Sequence, residues 1–224
     1  MKTKAERPRI AGLYAVTRDA TDTAALLAAV RSALRGGAAW LQYRNKGADA
    51  DLRLDQARAL RQLCTELDRP LIVNDDVELA LAVAADGVHL GAADGSVAEA
   101  RRRLGPERLV GVSCYDQMAV ARRAVAEGAD HVAFGSVFAS AVKPGAVRAP
   151  LSLIAEARRE LGVPVVAIGG ITAANAGAVI AAGADAIAVI SAVFDAQDVE
   201  TAARSLAALF APAHPASAIR RATG

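Results

Sequence analysis

The sequence predicts a single-domain (β/α)8 TIM barrel of the α/β class, on three observations. Eight short β-like runs alternate with helical stretches along the chain. The runs are almost continuously apolar, as strands are when both faces of a parallel sheet are covered. A weak repeat precedes three of them: Ala-Ala-Asp at 84–86, then Gly-Ala-Asp at 128–130 and 183–185. An open doubly wound sheet is the alternative for such alternation.

The barrel is assigned to residues 10–210, after an N-terminal tail over 1–9. LYAVT (13–17) is the first strand, and Ala and Leu at three- and four-residue spacing make 22–35 a helix. AAWLQYR (38–44) and the helix 50–67 follow on the same logic. PLIVND (70–75) leads into a shorter helix over 76–84, for which Asp76 suits the N-cap. GVHLG (87–91) and helix 96–104 come next, then LVGVSC (109–114) and helix 116–126. Gly128 suits a helix C-cap, and Asp130 begins the turn into HVAFGS (131–136). Helix 151–161, PVVAIGG (164–170) and helix 173–182 follow, and Gly183 and Asp185 repeat the cap and turn before AIAVIS (186–191). Helix 196–210 closes the barrel, and the Pro/Ala-rich segment 211–224 is expected to be a disordered tail. Asp86, Asp130 and Asp185 stand at strand starts, the stability face of a barrel, and are read as structural.

Composition bounds the function. The 224 residues are 54% hydrophobic and 22% charged, enough for one large core. A formal charge of +2 with scattered arginines argues against a nucleic-acid partner, and Arg101-Arg102-Arg103 reads as a solvated helix end. Cys64 and Cys114 match no zinc or redox spacing, and the N-terminus lacks an apolar signal region, so a reduced cytoplasmic protein is expected. Val165 to Phe194 is apolar but broken by Asn175, Asp185 and glycines, so no membrane span is expected.

Polar residues gather at the other strand ends, which in a barrel meet at one mouth. Strand two ends in Gln42, Arg44 and Lys46, strand three in Asn74, Asp75 and Asp76, and strand five in Ser113. Asp94 follows strand four, GSVFASAVKPGA continues strand six, Gly169-Gly170 ends strand seven and Ser191 strand eight. Of only four lysines among 22 arginines, Lys46 and Lys143 occupy mouth positions, where a compact ammonium suits a phosphate oxygen. Glycines before a short helix, and Ile190-Ser191 after strand eight, suit a phosphate held by backbone N–H groups. Asp75 and Asp94 are the best metal candidates, because Asp76 can take the cap. The histidines His89, His131 and His214 show no pairing with a nucleophile and are read as structural or surface; Cys114 reads as a small buried residue.

QYRNK, VNDD, DGVHLG with Asp94 after it, GVSC, GSVFASAVKPGA, AIGGI and VIS, in this order, resemble thiamine phosphate synthase from about Leu13 to Phe194. The resemblance implies a barrel that joins a hydroxymethylpyrimidine diphosphate to a thiazole phosphate, carboxylated or not, and releases pyrophosphate with Mg2+ as cofactor. Gln42, Tyr43, Arg44, Asn45, Lys46 and Asn74 would hold the pyrimidine diphosphate, and Asp75 and Asp94 the magnesium. Ser113 would contact the pyrimidine or its leaving group. Ser140, Val142 and Lys143 would line the substrates, and Gly170, Ile190 and Ser191 would take the thiazole phosphate. Arg44, Lys46, Ser113 and Lys143 would then be the catalytic set.

Three positions depart from the family pattern. Ser140 and Val142 stand where the family usually has threonines, and Ala92 where it commonly has glutamine. Loss of the hydroxyl at Val142 is worth roughly 1 kcal/mol of binding. Two other readings compete: a thiazole tautomerase-like barrel, for which Ser136 stands in place of a histidine, and a non-catalytic barrel that binds a phosphate ligand. The partners expected are small molecules only; oligomeric state is not written in the sequence.

Overall fold

The computed structural model describes residues 9–91, 95–139 and 147–210. The expected tail over 211–224, most of the tail over 1–9, and Ala92, Asp94, Ser140, Val142 and Lys143 lie outside the described residues. Eight parallel strands close into a barrel in chain order: β1 (Gly12–Val16), β2 (Trp40–Tyr43), β3 (Leu71–Asn74), β4 (Gly87–Leu90), β5 (Leu109–Tyr115), β6 (His131–Phe134), β7 (Val165–Ile168) and β8 (Ala186–Val189), with β8 paired back onto β1. The helices are α1 (Thr23–Arg35), α2 (Ala50–Glu66), α3 (Val77–Ala82), α4 (Val97–Leu104), α5 (Met118–Ala126), α6 (Leu151–Glu160), α7 (Ala176–Ala181), α8 (Ser191–Phe194) and α9 (Val199–Ala207). The closed sheet removes the doubly wound alternative. α8 is a short extra helix that the spacing of Ala and Leu does not announce. No helix among the described residues is long and apolar enough to cross a membrane.

Alternation along each strand sorts the core into two clusters. Tyr14, Val16, Trp40, Ile72, Leu109 and Val166 fill the lumen with alanines of β6 and β8. Leu13, Leu41, Val73, Val88, Val110 and Val132 face outward and pack under the helices. Helix starts follow side-chain caps: Asp22, Asp49, Asp76, Ser96 and Asp198 each accept a backbone N–H three residues on.

The Asp repeat has a common geometry. Asp86 Oδ2 accepts from Leu71 N–H at 2.7 Å, Asp130 Oδ2 from Val110 N–H at 2.9 Å, and Asp185 Oδ2 from Val165 N–H at 2.9 Å. Arg61, Arg101 and Arg158 pair with the three carboxylates in turn. Each Asp thus fastens the N-terminal end of the strand before its own, as the stability reading expects. The residue two places earlier ends a helix at positive φ: Gly128 at 103°, Gly183 at 102°, and Ala84 at 51°. Ala84 is exposed and carries a Cβ in the left-handed region that the two glycines occupy freely. Ala84→Gly should stabilise the fold by about 0.5–1 kcal/mol, the left-handed penalty less glycine's larger unfolded-state freedom. The urea midpoint reads this; a lowered midpoint would mean the methyl group contributes packing instead.

Candidate active site

The mouth begins with a hydroxyl clamp between β1 and β2. Thr17, fully buried, accepts from Arg44 N–H at 2.8 Å and donates to Arg44 C=O at 2.8 Å through the same Oγ1. Its backbone N–H donates to Gln42 C=O at 2.9 Å. Arg44 is therefore held by backbone on both sides while its guanidinium reaches Asp19, Nη1 to Oδ1 at 3.0 Å. The same Asp19 oxygen accepts Lys46 N–H at 3.0 Å. Lys46 Nζ then meets Asp75 Oδ2 at 3.1 Å. Two cations and two carboxylates alternate across the ends of β1, β2 and β3.

Strand parity decides which side chains face the lumen. Gln42 points inward, buried, and its Nε2 donates to the Tyr14 hydroxyl at 3.0 Å. Burial pushes the Tyr14 hydroxyl well above its ordinary pKa, so it stays protonated. Tyr43 is one residue on and faces the other way, into the layer under the helices. Its hydroxyl donates to Gln56 Oε1 at 2.8 Å on α2, and burial pushes its pKa up to about 12. Asn45 Nδ2 donates to Ala20 C=O at 2.7 Å and to Gln56 Oε1 at 2.9 Å. The sequence reading set Tyr43 and Asn45 among substrate-binding residues; their side chains also pin the β1 and β2 loops to α2, and both line the cavity shared with Lys46, Asn74 and Asp75.

Of the acidic pair after β3, Asp76 takes the expected cap of α3, accepting Leu79 N–H at 2.9 Å. Asp75 takes φ 62°, a conformation Asp tolerates better than most residues, and its N–H donates to His89 C=O at 2.8 Å. Beyond β7, Gly169 and Gly170 have φ of 101° and 64°, and a Cβ on Gly170 would lie 2.3 Å from Ala139 O. Asn175 ties this turn: Nδ2 donates to Gly170 C=O at 2.9 Å, and Oδ1 accepts Thr172 N–H at 2.8 Å. Ile190 precedes α8 and Ser191 opens it, which gives the end of β8 the free N–H groups of a helix start.

Two of the histidines are not isolated, contrary to the sequence reading. Asn74, His89, Gly111 and His131 are in register across β3, β4, β5 and β6, all on the lumen side. His89 Nε2 lies 2.9 Å from Ser113 Oγ, and His89 Nδ1 lies 3.3 Å from His131 Nε2. The pairing spans 42 residues of sequence and a strand, and no local spacing announces it. Thr17 and Asp19 were missed for a different reason: their partners after β2 lie 25 to 27 residues away in sequence. Burial pushes His89 down to about 4, partly offset by the Asp75 charge, and burial with the neighbouring His89 holds His131 well below its ordinary value. Burial likewise pushes the Cys114 thiol up to about 12, which suits an inert packing residue.

A pH dependence of stability follows. The folded pKa of His89 is below its unfolded value, so the unfolded chain binds more protons between the two. His89 therefore contributes stability that is complete above about pH 6.5 and is lost as pH falls toward about 4. The unfolding free energy should drop by about 2 kcal/mol from His89 between neutral pH and about pH 5. Urea titrations at both pH values read it, and a His89→Phe chain with the same drop would remove the assignment.

The thiamine monophosphate synthase family model matches residues 13–193. A thiamine-phosphate synthase from Azoarcus sp. (strain BH72) is 60% identical over 203 residues, covering 91% of this chain and 98% of that protein. One from Chromobacterium violaceum is 57% identical over 203 residues, 91% and 98% of the two chains. Among solved structures, a thiamine phosphate pyrophosphorylase from Pyrococcus furiosus superposes with a TM-score of 0.79 at 37% identity, covering 88% of this chain and 94% of that one. With the family model spanning most of the barrel and relatives this similar over nearly their whole length, the chain belongs to the thiamine monophosphate synthase family.

Proposed function

We propose that this chain is a thiamine-phosphate synthase that joins a hydroxymethylpyrimidine diphosphate to a thiazole phosphate, giving thiamine phosphate and pyrophosphate. The observation that supports the reading is the two cations at the mouth, Arg44 paired with Asp19 and Lys46 with Asp75, charge of the sign that a diphosphate would need. The bond between the pyrimidine methylene carbon and the diphosphate oxygen breaks, and the oxygen keeps the electron pair. The thiazole nitrogen donates its lone pair to that carbon. Negative charge grows on the leaving group, and Arg44 and Lys46 stabilise it, with Lys143 added by the family resemblance. Gln42 and Asn74, on the lumen side, orient the pyrimidine. The glycine turn after β7 and the start of α8 offer N–H groups for the thiazole phosphate. The attacking nitrogen is already unprotonated, so no protein base is required. Ser136, at the position where the tautomerase reading needs a histidine, spends its hydroxyl on Phe138 C=O at 2.6 Å.

Magnesium fits this donor set. Asp75 offers a hard oxygen beside the cations, and magnesium takes few protein carboxylates, completing its shell with water and phosphate oxygens. An ion carried largely on the diphosphate, with few protein carboxylates, would suit such a site. Asp75 would hold it, together with Asp94 by resemblance. Bound magnesium would neutralise charge on the diphosphate oxygens as a Lewis acid.

Incubating the purified chain with both substrates and magnesium should release pyrophosphate and thiamine phosphate in equal amounts; no release with correctly folded protein would end the reading. Arg44→Ala should lower turnover by about a hundredfold, the scale of one preorganised charge donor, while the melting temperature stays close to that of the parent. Full turnover in that variant would remove Arg44 from the charge-stabilising set. Asp75→Asn should raise the half-saturating magnesium concentration by about tenfold or more; an unchanged magnesium titration would take Asp75 out of the metal shell.

A further inference from the structure

Two imidazoles on strands that do not touch meet inside the barrel. β4 and β6 are separated by β5, and His89 and His131 reach each other only because the in-register residue between them is Gly111. A Cβ on Gly111 would lie 2.0 Å from His131 Nε2 and 2.6 Å from His89 Nδ1. The space a side chain would fill on β5 is taken by the contact of the two rings. His131 is fully buried, and among the described residues its Nδ1 has no hydrogen-bond partner.

The contact limits the protons. Facing nitrogens at 3.3 Å need one N–H and one bare lone pair between them. Two patterns satisfy this. In one, His131 Nε2–H donates to His89 Nδ1, His89 Nε2–H donates to Ser113 Oγ, and the Ser113 O–H remains for a ligand. In the other, every direction reverses: Ser113 donates to His89, His89 donates to His131, and His131 keeps a proton on Nδ1. Both make the same internal hydrogen bonds and differ only at the ends. The second leaves a buried N–H donor on His131 without an acceptor, the rarer kind of orphan in folded proteins. The first leaves only a bare nitrogen there.

We propose that His131 is a positioning residue for the mouth: it holds His89 in the tautomer protonated at Nε2, so that Ser113 Oγ accepts from His89 and keeps its own O–H to donate to an acceptor atom on the ligand. The acceptors this selects are a phosphate oxygen or a ring nitrogen; a ligand amino group finds no proton acceptor of equal strength there. The consequence for turnover rests on Ser113 contacting substrate, as read above, whereas the tautomer itself does not.

The test uses the full-length chain. Long-range proton–nitrogen NMR above neutral pH should show His89 protonated at Nε2 and bare at Nδ1; a His89 protonated at Nδ1 overturns the proposal. His131→Phe fills the same space without the nitrogen. It should give His89 as a mixture of tautomers and lower kcat by about tenfold, with KM for both substrates within about twofold, the scale of one misdirected hydrogen bond in the transition state. His131→Gln, which returns an N–H donor, should recover most of kcat. Unchanged kcat in His131→Phe, or a loss confined to KM, overturns the positioning role. If His131→Phe does not fold, the parent spectrum and the His131→Gln kinetics decide. If the parent chain releases no pyrophosphate at all, the proposed activity fails while the parent spectrum still decides the tautomer.

Discussion

Closure of the sheet is the constraint on which the other features depend. Eight parallel strands that pair in sequence order leave no edge, and every strand must send alternate side chains into one narrow lumen. Trp40 and Tyr14 share that space with the small Ala133, Ala186 and Ala188, and Gly111 yields room to His89 and His131. The same closure carries every C-terminal strand end to one rim. Residues far apart in sequence, such as Asp19, Arg44 and Asp75, become neighbours there without any one segment encoding the arrangement.

The rim is organised by charge alternation rather than by burial. Arg44 pairs with Asp19, which also accepts the Lys46 backbone N–H, and the Lys46 ammonium meets Asp75. These side chains are partly exposed, so each pair alone contributes little to stability, about 0–1 kcal/mol. Their effect is on geometry. With both cations already paired at the strand ends, less ordering would remain on binding the diphosphate of the proposed reaction. The lumen just below is different in kind: neutral imidazoles, a protonated Tyr14 and a buried amide, all held by hydrogen bonds in a region that disfavours charge. A cationic rim above a neutral floor suits a substrate with a charged end and an uncharged aromatic ring.

Much of this could be read from the residues. Apolar runs separated by Ala/Leu helices gave the strand order, because parallel strands covered on both faces need no alternation of polarity. Asp76 as a cap and the Asp repeat as structure both follow from short-range chemistry, and the described residues show each. What could not be read depends on parity and on distance. Tyr43 and Asn45 lie within QYRNK, yet a strand's two-residue period turns Tyr43 outward, and Asn45 is drawn to Gln56 on α2. The His89–His131 contact needs Gly111, which is an ordinary strand glycine until the register across three strands is known. α8 is four residues long, too short for periodicity to register.

The seams of the barrel are stitched at opposite ends. Carboxylates secure the β3–β4, β5–β6 and β7–β8 seams where those strands begin, whereas β1 and β2 are joined where they finish, by one threonine hydroxyl that both gives and receives. The first two loops are in consequence one mechanical piece. A change of chemistry at Thr17 therefore alters the presentation of Arg44 without touching its side chain.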